Sequence, residues 1–467
     1  MVFSSITFIF VFLAAVVLLT ALCPQRYRNL LLLLASIAFY AWGEWTYTVV
    51  FLAATLFDYG AGLLIGRYRE RGRNRAAKAA MLASVIGNIA LLGVFKYSAL
   101  FIDSLKALGT GISLTALALP LGISFYTFQK MSYTIDVYLG KVAVQKNPIT
   151  FGTYVCLFPQ LIAGPIVRYK DIEEQLYSRT VTVTEAADGI RRFIIGLSKK
   201  VLLANAAGSI WETVLGSSQR GSLTAWLGAI AYAFQIYYDF SGYSDMAIGL
   251  GKMFGFTFPE NFRYPYEAAS VTDFWRRWHI TLSTWFREYV YIPLGGNRRG
   301  AAKQIRNMLI VWALTGLWHG AAWNFLLWGL WFFLFLVLEK FVFGKWLGRL
   351  PAVFGHLYAM LVVLFGWVLF ACDGMRPLGD YLKSMFCGGV QGREVLYILS
   401  ENAVLLIVML FGCTHLPAAW AAKLRKKSEA CPVAAACARG IFMAVLFMLC
   451  IACLIRESYN PFLYSRF

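Results

Sequence analysis

The chain contains four histidines, His279, His319, His356 and His415, and two of them stand where an imidazole could act on a substrate. His319 lies in TGLWHGAAWNFLLWGLW, Thr315 to Trp331, a long apolar stretch in which Gly316 and Gly320 flank it at a spacing that lets a neighbouring helix approach closely. An ionisable residue at that depth is by default a candidate functional group. Enclosed by protein, a neutral imidazole there can take a proton from a hydroxyl; the competing reading is a hydrogen-bonded core histidine. His279 lies in DFWRRWHITLSTWFREYVY, where a helix capped by Thr272 or Asp273 would gather Trp275, Trp278, His279, Leu282, Trp285 and Phe286 on one face. Arg276, Arg277 and Arg287 would then point elsewhere. An aromatic belt at headgroup level explains those tryptophans equally well. His356 and His415 fall near the ends of apolar runs and read as interfacial.

Other chemistries lack their residues. No HExxH and no Walker-type GxxxxGK[ST] occurs, and the string nearest a nucleophile elbow, FSGYSDMAIG from Phe240, sits in an apolar helical run. Neither a metal site nor a bound cofactor is expected. A buried histidine, a second one about 40 residues earlier and nearby hydroxyl, carboxylate and arginine groups suit acyl transfer from a thioester to an alcohol, which needs proton removal and oxyanion stabilisation. Asp239, Ser241, Tyr243 and Asp245 could line a passage for such substrates or bond helices together. Arg276 and Arg277 could attract the phosphates of a coenzyme A or phosphopantetheine donor, or snorkel to headgroups.

The elements that must position these groups belong to a membrane. Of 467 residues 59% are hydrophobic and 14% charged, too few charges to solvate a water-soluble body of this size. Runs long enough to span occur at about 4–22, 29–46, 48–66, 79–97, 117–135, 150–167, 189–206, 224–250, 304–318, 321–343, 353–371, 400–417 and 434–454, which predicts an all-α polytopic bundle of about 11–12 transmembrane helices. The stretch 150–167, with Pro159, Gly164 and Pro165, is the best candidate for a re-entrant segment. Without repeats or low-complexity linkers, residues 1–467 read as a single membrane domain, its catalytic core at about 115–345 and its tail at about 456–467.

The first run reads as a retained anchor with its N-terminus outside. The basic loop from Arg67 to Lys78 and the cluster Lys423, Arg425, Lys426, Lys427 then fall on the cytoplasmic side, leaving the C-terminal tail outside as well. The net charge of +19 is explained by those loops and anionic lipid, with no nucleic-acid partner. Most of the nine cysteines lie in or beside apolar runs, and Cys450 and Cys453 have no second pair for zinc. A transporter is the reading from another class, but no inverted repeat accompanies the many spans.

Seven segments carry a resemblance: the opening MVFSS, QRYRNLLLL from Gln25, LPLGISFYTFQ from Leu119, FPQLIAGPIVRYKD from Phe158, YYDFSGYSDMAIGLG from Tyr237, DFWRRWHITLSTWFREYVYIPLGGNRRG from Asp273 and GLWHGAAWNFLLWG from Gly316. Along nearly its whole length the chain resembles the membrane-bound O-acyltransferases, in particular the bacterial branch that O-acetylates alginate and peptidoglycan. The resemblance implies a tunnel through the bundle, re-entrant and interfacial helices around it, His319 as the catalytic residue and His279 as the second site residue. It implies a cytoplasmic acyl thioester donor, acetyl-CoA or an acyl carrier protein, with Trp275, Trp278 and Trp318 close to the tunnel. The acceptor would be an extracytoplasmic polysaccharide, served by an SGNH-type acetyltransferase partner in the periplasm or at the cell surface. The location would be a bacterial cytoplasmic (inner) membrane. The ending NPFLYSRF is similar to an aromatic tail in relatives that makes Tyr464 a candidate acyl relay. Transfer of D-alanine to teichoic acid is the alternative within the same family.

Overall fold

Apolar runs of this length can satisfy their backbone in lipid only as helices or closed barrels, and here they form helices. The computed structural model describes residues 2–107, 117–217, 220–372, 374–389, 392–427, 432–456 and 462–463, and among them no strand occurs. In chain order α1 covers Thr7–Leu22, α2 Arg28–Glu70, α3 Asn74–Ala107, α4 Ile123–Leu139 and α5 Pro148–Cys156. α6 runs over Val183–Gly216 with a π-helical stretch at Lys199–Ala204. α7 covers Ser222–Met253, α8 Val271–Arg277, α9 Ile280–Phe286 and α10 Ala301–His319. α11 (Trp323–Leu347), α12 (Ala352–Ala371), α13 (Gly392–Gly412) and α14 (Pro432–Arg456) complete the long helices.

The chain is an all-α polytopic membrane protein. Seven described helical stretches, Gln25–Glu70 and those of α3, α6 and α11 to α14, are long and apolar enough to cross a bilayer. Spans expected at 29–46 and 48–66 form one kinked helix, α2, broken where Glu44 leaves the helical region at φ −139° and ψ 52°. Val49, Ile86, Val404, Ile407 and Ile441 project from these helices, and Leu18 from α1, as exposed apolar side chains, the surface a lipid solvent requires. α4 and α7 are different: they are enclosed on nearly every face and carry polar groups inward, including Gln129, Lys130 and Asp136 on α4 and Asp239, Ser241 and Asp245 on α7.

The expected re-entrant segment is broken and buried. α5 stops at Cys156, a short turn covers Phe158–Leu161, and the chain runs irregularly on to Val167. Protein groups supply the partners that lipid cannot. Phe158 N–H donates to Ser36 Oγ at 3.0 Å, Ile166 N–H donates to Thr281 Oγ1 at 3.0 Å, and the Tyr154 hydroxyl lies 3.0 Å from the Gln129 carbonyl.

Two contacts set the inner helices. On α6, Gly189 and Gly196 face Gly249 and Gly242 of α7 so closely that a Cβ on Gly242 would lie 2.7 Å from the Gly196 carbonyl. Small residues at helical spacing are what allow such an approach in a membrane. The closeness brings Lys199 and Lys200 onto α7, where they pair with Asp245 at 2.7 Å and Asp239 at 2.6 Å. Among α2, α3 and α4, the buried Asp58 carboxylate pairs with Lys130 at 3.3 Å and accepts from Ser84 Oγ at 2.6 Å and Asn88 Nδ2 at 2.8 Å. A buried charge pair persists only when its remaining hydrogen-bonding capacity is also met.

Gly242→Ala is therefore expected to destabilise the protein by about 1–3 kcal/mol through overpacking. Gly60→Ala, on α2 with nothing within 4 Å of the added methyl, is expected to be neutral or stabilising by up to about 1 kcal/mol. Thermal unfolding of both variants in detergent measures the contrast.

Candidate active site at the C-terminal end of α10

His279 begins a new helix instead of riding the face of a continuous one. The helix expected across 272–287 is interrupted: α8 ends at Arg277, His279 adopts the left-handed conformation at φ 43° and ψ 54°, and α9 starts at Ile280. The cap is Ser270, whose hydroxyl accepts from Asp273 N–H at 3.0 Å, and the Glu339 carboxylate accepts from Val271 N–H at 2.5 Å and Thr272 N–H at 2.9 Å. A non-glycine residue at positive φ is held there by its surroundings. Asn261 does so. Its carbonyl accepts Ile280 N–H at 3.0 Å and its Oδ1 accepts Thr281 N–H at 3.2 Å and the Thr281 hydroxyl at 2.9 Å.

The same Oδ1 lies 3.1 Å from His279 Nδ1. Because a backbone N–H fixes that amide atom as an acceptor, Nδ1 must carry the proton in this bond and Nε2 holds the ring's lone pair when the imidazole is neutral. Despite the break, Trp275, Trp278, His279, Leu282, Trp285 and Phe286 are all buried, while Arg276 and Arg287 are exposed, as their periodicity predicts.

His319 is the last residue of α10 and is 3% exposed. α10 and α11 close on each other through glycine, because a Cβ on Gly316 would lie 2.5 Å from the Phe325 carbonyl and one on Gly329 would lie 2.3 Å from the Trp312 carbonyl. The imidazole meets the edges of Trp318 at 4.8 Å, Trp328 at 4.8 Å and Phe370 at 5.2 Å. Trp318 also neighbours His279 at 6.2 Å, so one indole packs beside both histidines. Phe240 of α7 packs on His279 at 4.7 Å and Phe125 of α4 packs on Trp318 at 5.6 Å. Lys96 and His279 are both within electrostatic reach of His319.

The other residues divide. Trp275 packs edge to face with Trp312, Trp328 and Phe332 at 4.7 to 5.6 Å, and Trp278 meets Phe262 edge to face at 5.0 Å and Trp367 at a tilt at 4.7 Å, so both are walls of the aromatic enclosure. Asp245 is engaged by Lys199 and by Arg192, which also pairs with Glu260 at 2.6 Å. Asp239 is held by Lys200 and accepts Leu463 N–H at 2.7 Å, while Phe462 packs on Tyr243 at 4.5 Å. Ser241 is buried between these carboxylates in the sequence of α7. Tyr464 lies outside the described residues, next to Leu463, whose amide is thus seated on α7.

The two arginines also separate. Arg277 pairs with Asp273 at 3.0 Å and approaches Glu267 at 3.9 Å. Arg276 instead lines a cavity of about 910 Å³ with Arg287, Tyr291 and Lys340, and a second cavity of about 670 Å³ shares those four residues and adds Arg298 and Arg299. His415 lies 2.6 Å from Glu267 and His356 3.0 Å from the Ala268 carbonyl, away from the pair around Trp318.

Sequence reasoning missed Asn261, Glu339 and Lys96. Lys96 had a signal, being a lone cation inside the apolar run 79–97, whereas Asn261 sits in a polar stretch where nothing distinguishes it.

The MBOAT, membrane-bound O-acyltransferase, family pattern matches residues 142–375, which include both histidines and all the cavity-lining arginines. The chain is 43% identical over 394 residues to a probable alginate O-acetylase of Pseudomonas aeruginosa, covering 83% of this chain and 75% of that one. It is 39% identical over 494 residues to the probable alginate O-acetylase of Pseudomonas putida, covering 100% of each. It is 33% identical over 414 residues to a peptidoglycan O-acetyltransferase of Helicobacter pylori, covering 81% of this chain and 77% of that one. The chain belongs to the membrane-bound O-acyltransferase family and is an O-acyltransferase, a multi-pass membrane protein that fits the bacterial inner membrane.

Asn261→Leu removes the acceptor that orients His279 at similar side-chain volume. If His279 belongs to the active site, acyl transfer by the purified variant is expected to fall about 10- to 100-fold, the cost of displacing a reacting group by about 1 Å.

Proposed function

We propose that the chain moves an acetyl group from a cytoplasmic thioester, acetyl-CoA or an acylated carrier protein, through the bundle for O-acetylation of an extracytoplasmic polysaccharide. The observation that carries this reading is the convergence of the two buried histidines on Trp318 in a chain of this family. The names of the alginate and peptidoglycan relatives support a polysaccharide acceptor.

His319 is the general base. It accepts the proton of the acceptor hydroxyl as that oxygen attacks the thioester carbonyl, the carbon–sulfur bond breaks, and the departing thiolate takes the proton from the imidazolium, restoring neutral His319. His279, its Nδ1–H bonded to Asn261, positions the acceptor or assists the developing oxyanion. The aromatic enclosure from Trp275, Trp278 and Trp318 excludes water that would otherwise hydrolyse the thioester. Arg276, with Arg287, Arg298, Arg299 and Lys340 around the paired cavities, suits the donor's phosphates; Arg277, already ion-paired, serves the fold.

Tyr464 is the proposed relay. In that version the phenol gives its proton to His319, its oxygen forms an aryl acetate as the thiolate leaves, and a hydroxyl of an SGNH-type extracytoplasmic partner later displaces the phenol. The seating of Phe462 and Leu463 on Tyr243 and Asp239 supports it, because Phe240, next to Asp239, touches His279. Both termini are placed outside the cytoplasm in this scheme.

Purified protein given radiolabelled acetyl-CoA is expected to become labelled at Tyr464, with no label in His319→Ala or Tyr464→Phe. Activity of His319→Ala equal to wild type would defeat the general-base assignment, and full polysaccharide acetylation by Tyr464→Phe would defeat the relay alone. Arg276→Ala is expected to raise KM for acetyl-CoA about tenfold or more, the worth of a charged hydrogen bond of about 1.5–3 kcal/mol. Arg277→Ala is expected to leave that KM unchanged.

A further inference from the structure

The end of α10 depends on two residues of α3. A helix leaves its last four carbonyls without intrahelical donors, and at membrane depth lipid offers none. In α10 the Gly316 carbonyl accepts Gly320 N–H at 3.4 Å. The next carbonyl, of Leu317, accepts from the Tyr97 hydroxyl at 2.5 Å, and the next again, of Trp318, accepts from the Lys96 ammonium. Consecutive residues of one helix thus cap consecutive carbonyls of another, on the two residues that precede His319.

Lys96 has little freedom there. It is 8% exposed, and its Nζ lies 3.4 Å from Ser124 Oγ of α4 and 5.6 Å from the centre of the Trp318 ring. The Trp318 indole N–H points back to the Ser124 carbonyl at 3.5 Å. About two and three helical turns earlier on α3, Asn88 and Ser84 hold Asp58, which pairs with Lys130 of α4, so the height of α3 beside α4 is set independently of Lys96. A cation is also the favoured charge at a helix C-terminus.

We propose that Lys96 is a positioning residue for the transfer reaction: its ammonium, with the Tyr97 hydroxyl, fixes the terminal turn of α10 and so aims the His319 imidazole at the acceptor hydroxyl. The proposal rests on His319 being the base. Cap and base are one residue apart in α10, so loss of the cap moves the imidazole before it unfolds the bundle.

The test is the steady-state turnover of acetyl-CoA, read as released thiol, by purified full-length protein supplied with a soluble alginate oligosaccharide as the hydroxyl acceptor. Lys96→Met, which keeps the aliphatic stem, is expected to elute as folded protein with a thermal midpoint near wild type, a kcat lowered 10- to 100-fold and an unchanged KM for acetyl-CoA. In Lys96→Ala, added propylamine is expected to restore part of the lost kcat while 1-propanol does not. Tyr97→Phe, which removes one cap and leaves the ring, is expected to show a smaller fall in kcat and serves if both Lys96 variants fail to fold. Wild-type kcat in Lys96→Met or in Tyr97→Phe, or equal restoration by propanol and propylamine, overturns the proposal. His319→Ala is assayed beside them. If it is inactive while Lys96→Met is fully active, the proposal alone fails; if it is active, the general-base reading fails and takes the proposal with it.

Discussion

Backbone carbonyls at the end of a helix inside a membrane must find donors in the protein, and the arrangement around His319 follows from that requirement. α10 terminates in the bundle instead of running on to water, and its last carbonyls are met by Tyr97 and Lys96. α8 meets the complementary problem at its N-terminus, where the Glu339 carboxylate takes two backbone N–H groups and Ser270 a third. Helix ends carry partial charge, so a helix that ends inside an apolar enclosure, as α10 does, brings polar groups there without any long polar stretch of sequence. Apart from Ser270, the side chains that satisfy those ends come from α3 and α11, far apart in the chain.

The fold has two kinds of helix for a related reason. Helices that face lipid carry the apolar surface, and the enclosed ones, α4 and α7, can carry lysine, aspartate and glutamine because other helices take the lipid contact. The cost of those buried charges is offset by pairing, Asp58 with Lys130 and Asp239 with Lys200. Glycine contacts between α6 and α7 and between α10 and α11 draw backbones close enough for such pairs and for the aromatic enclosure to form.

Much of this was legible in the sequence because burial follows periodicity. The face holding Trp275, Trp278, His279 and Trp285 is buried as its spacing predicts, although the helix meant to display it is broken at His279. The break was not legible, since it depends on Asn261, whose bonds to residues 279–281 exist only after the chain turns back on itself. His319 was visible as a titratable group between two glycines in an apolar run. Its dependence on Lys96 was not, because Lys96 is 222 positions away from the Trp318 carbonyl it caps. The separate fates of Arg276 and Arg277 had a signal that went unused, since Asp273 lies four residues before Arg277, whereas Thr272, with no carboxylate, lies four before Arg276.

The π-helical stretch Lys199–Ala204 has a consequence for how this protein tolerates change in length. A π-turn accommodates one residue more than an α-turn while the flanking helix keeps its course. That additional residue lets two successive lysines reach two carboxylates of α7. A one-residue deletion in this stretch would let α6 relax to an ordinary helix, with Gly189 and Gly196 still against α7, but would draw Lys200 away from Asp239, whereas Asp245 keeps Arg192. The helix would survive such a deletion better than the charge balance around it, so an indel here is a lesion in electrostatics before it is one in shape.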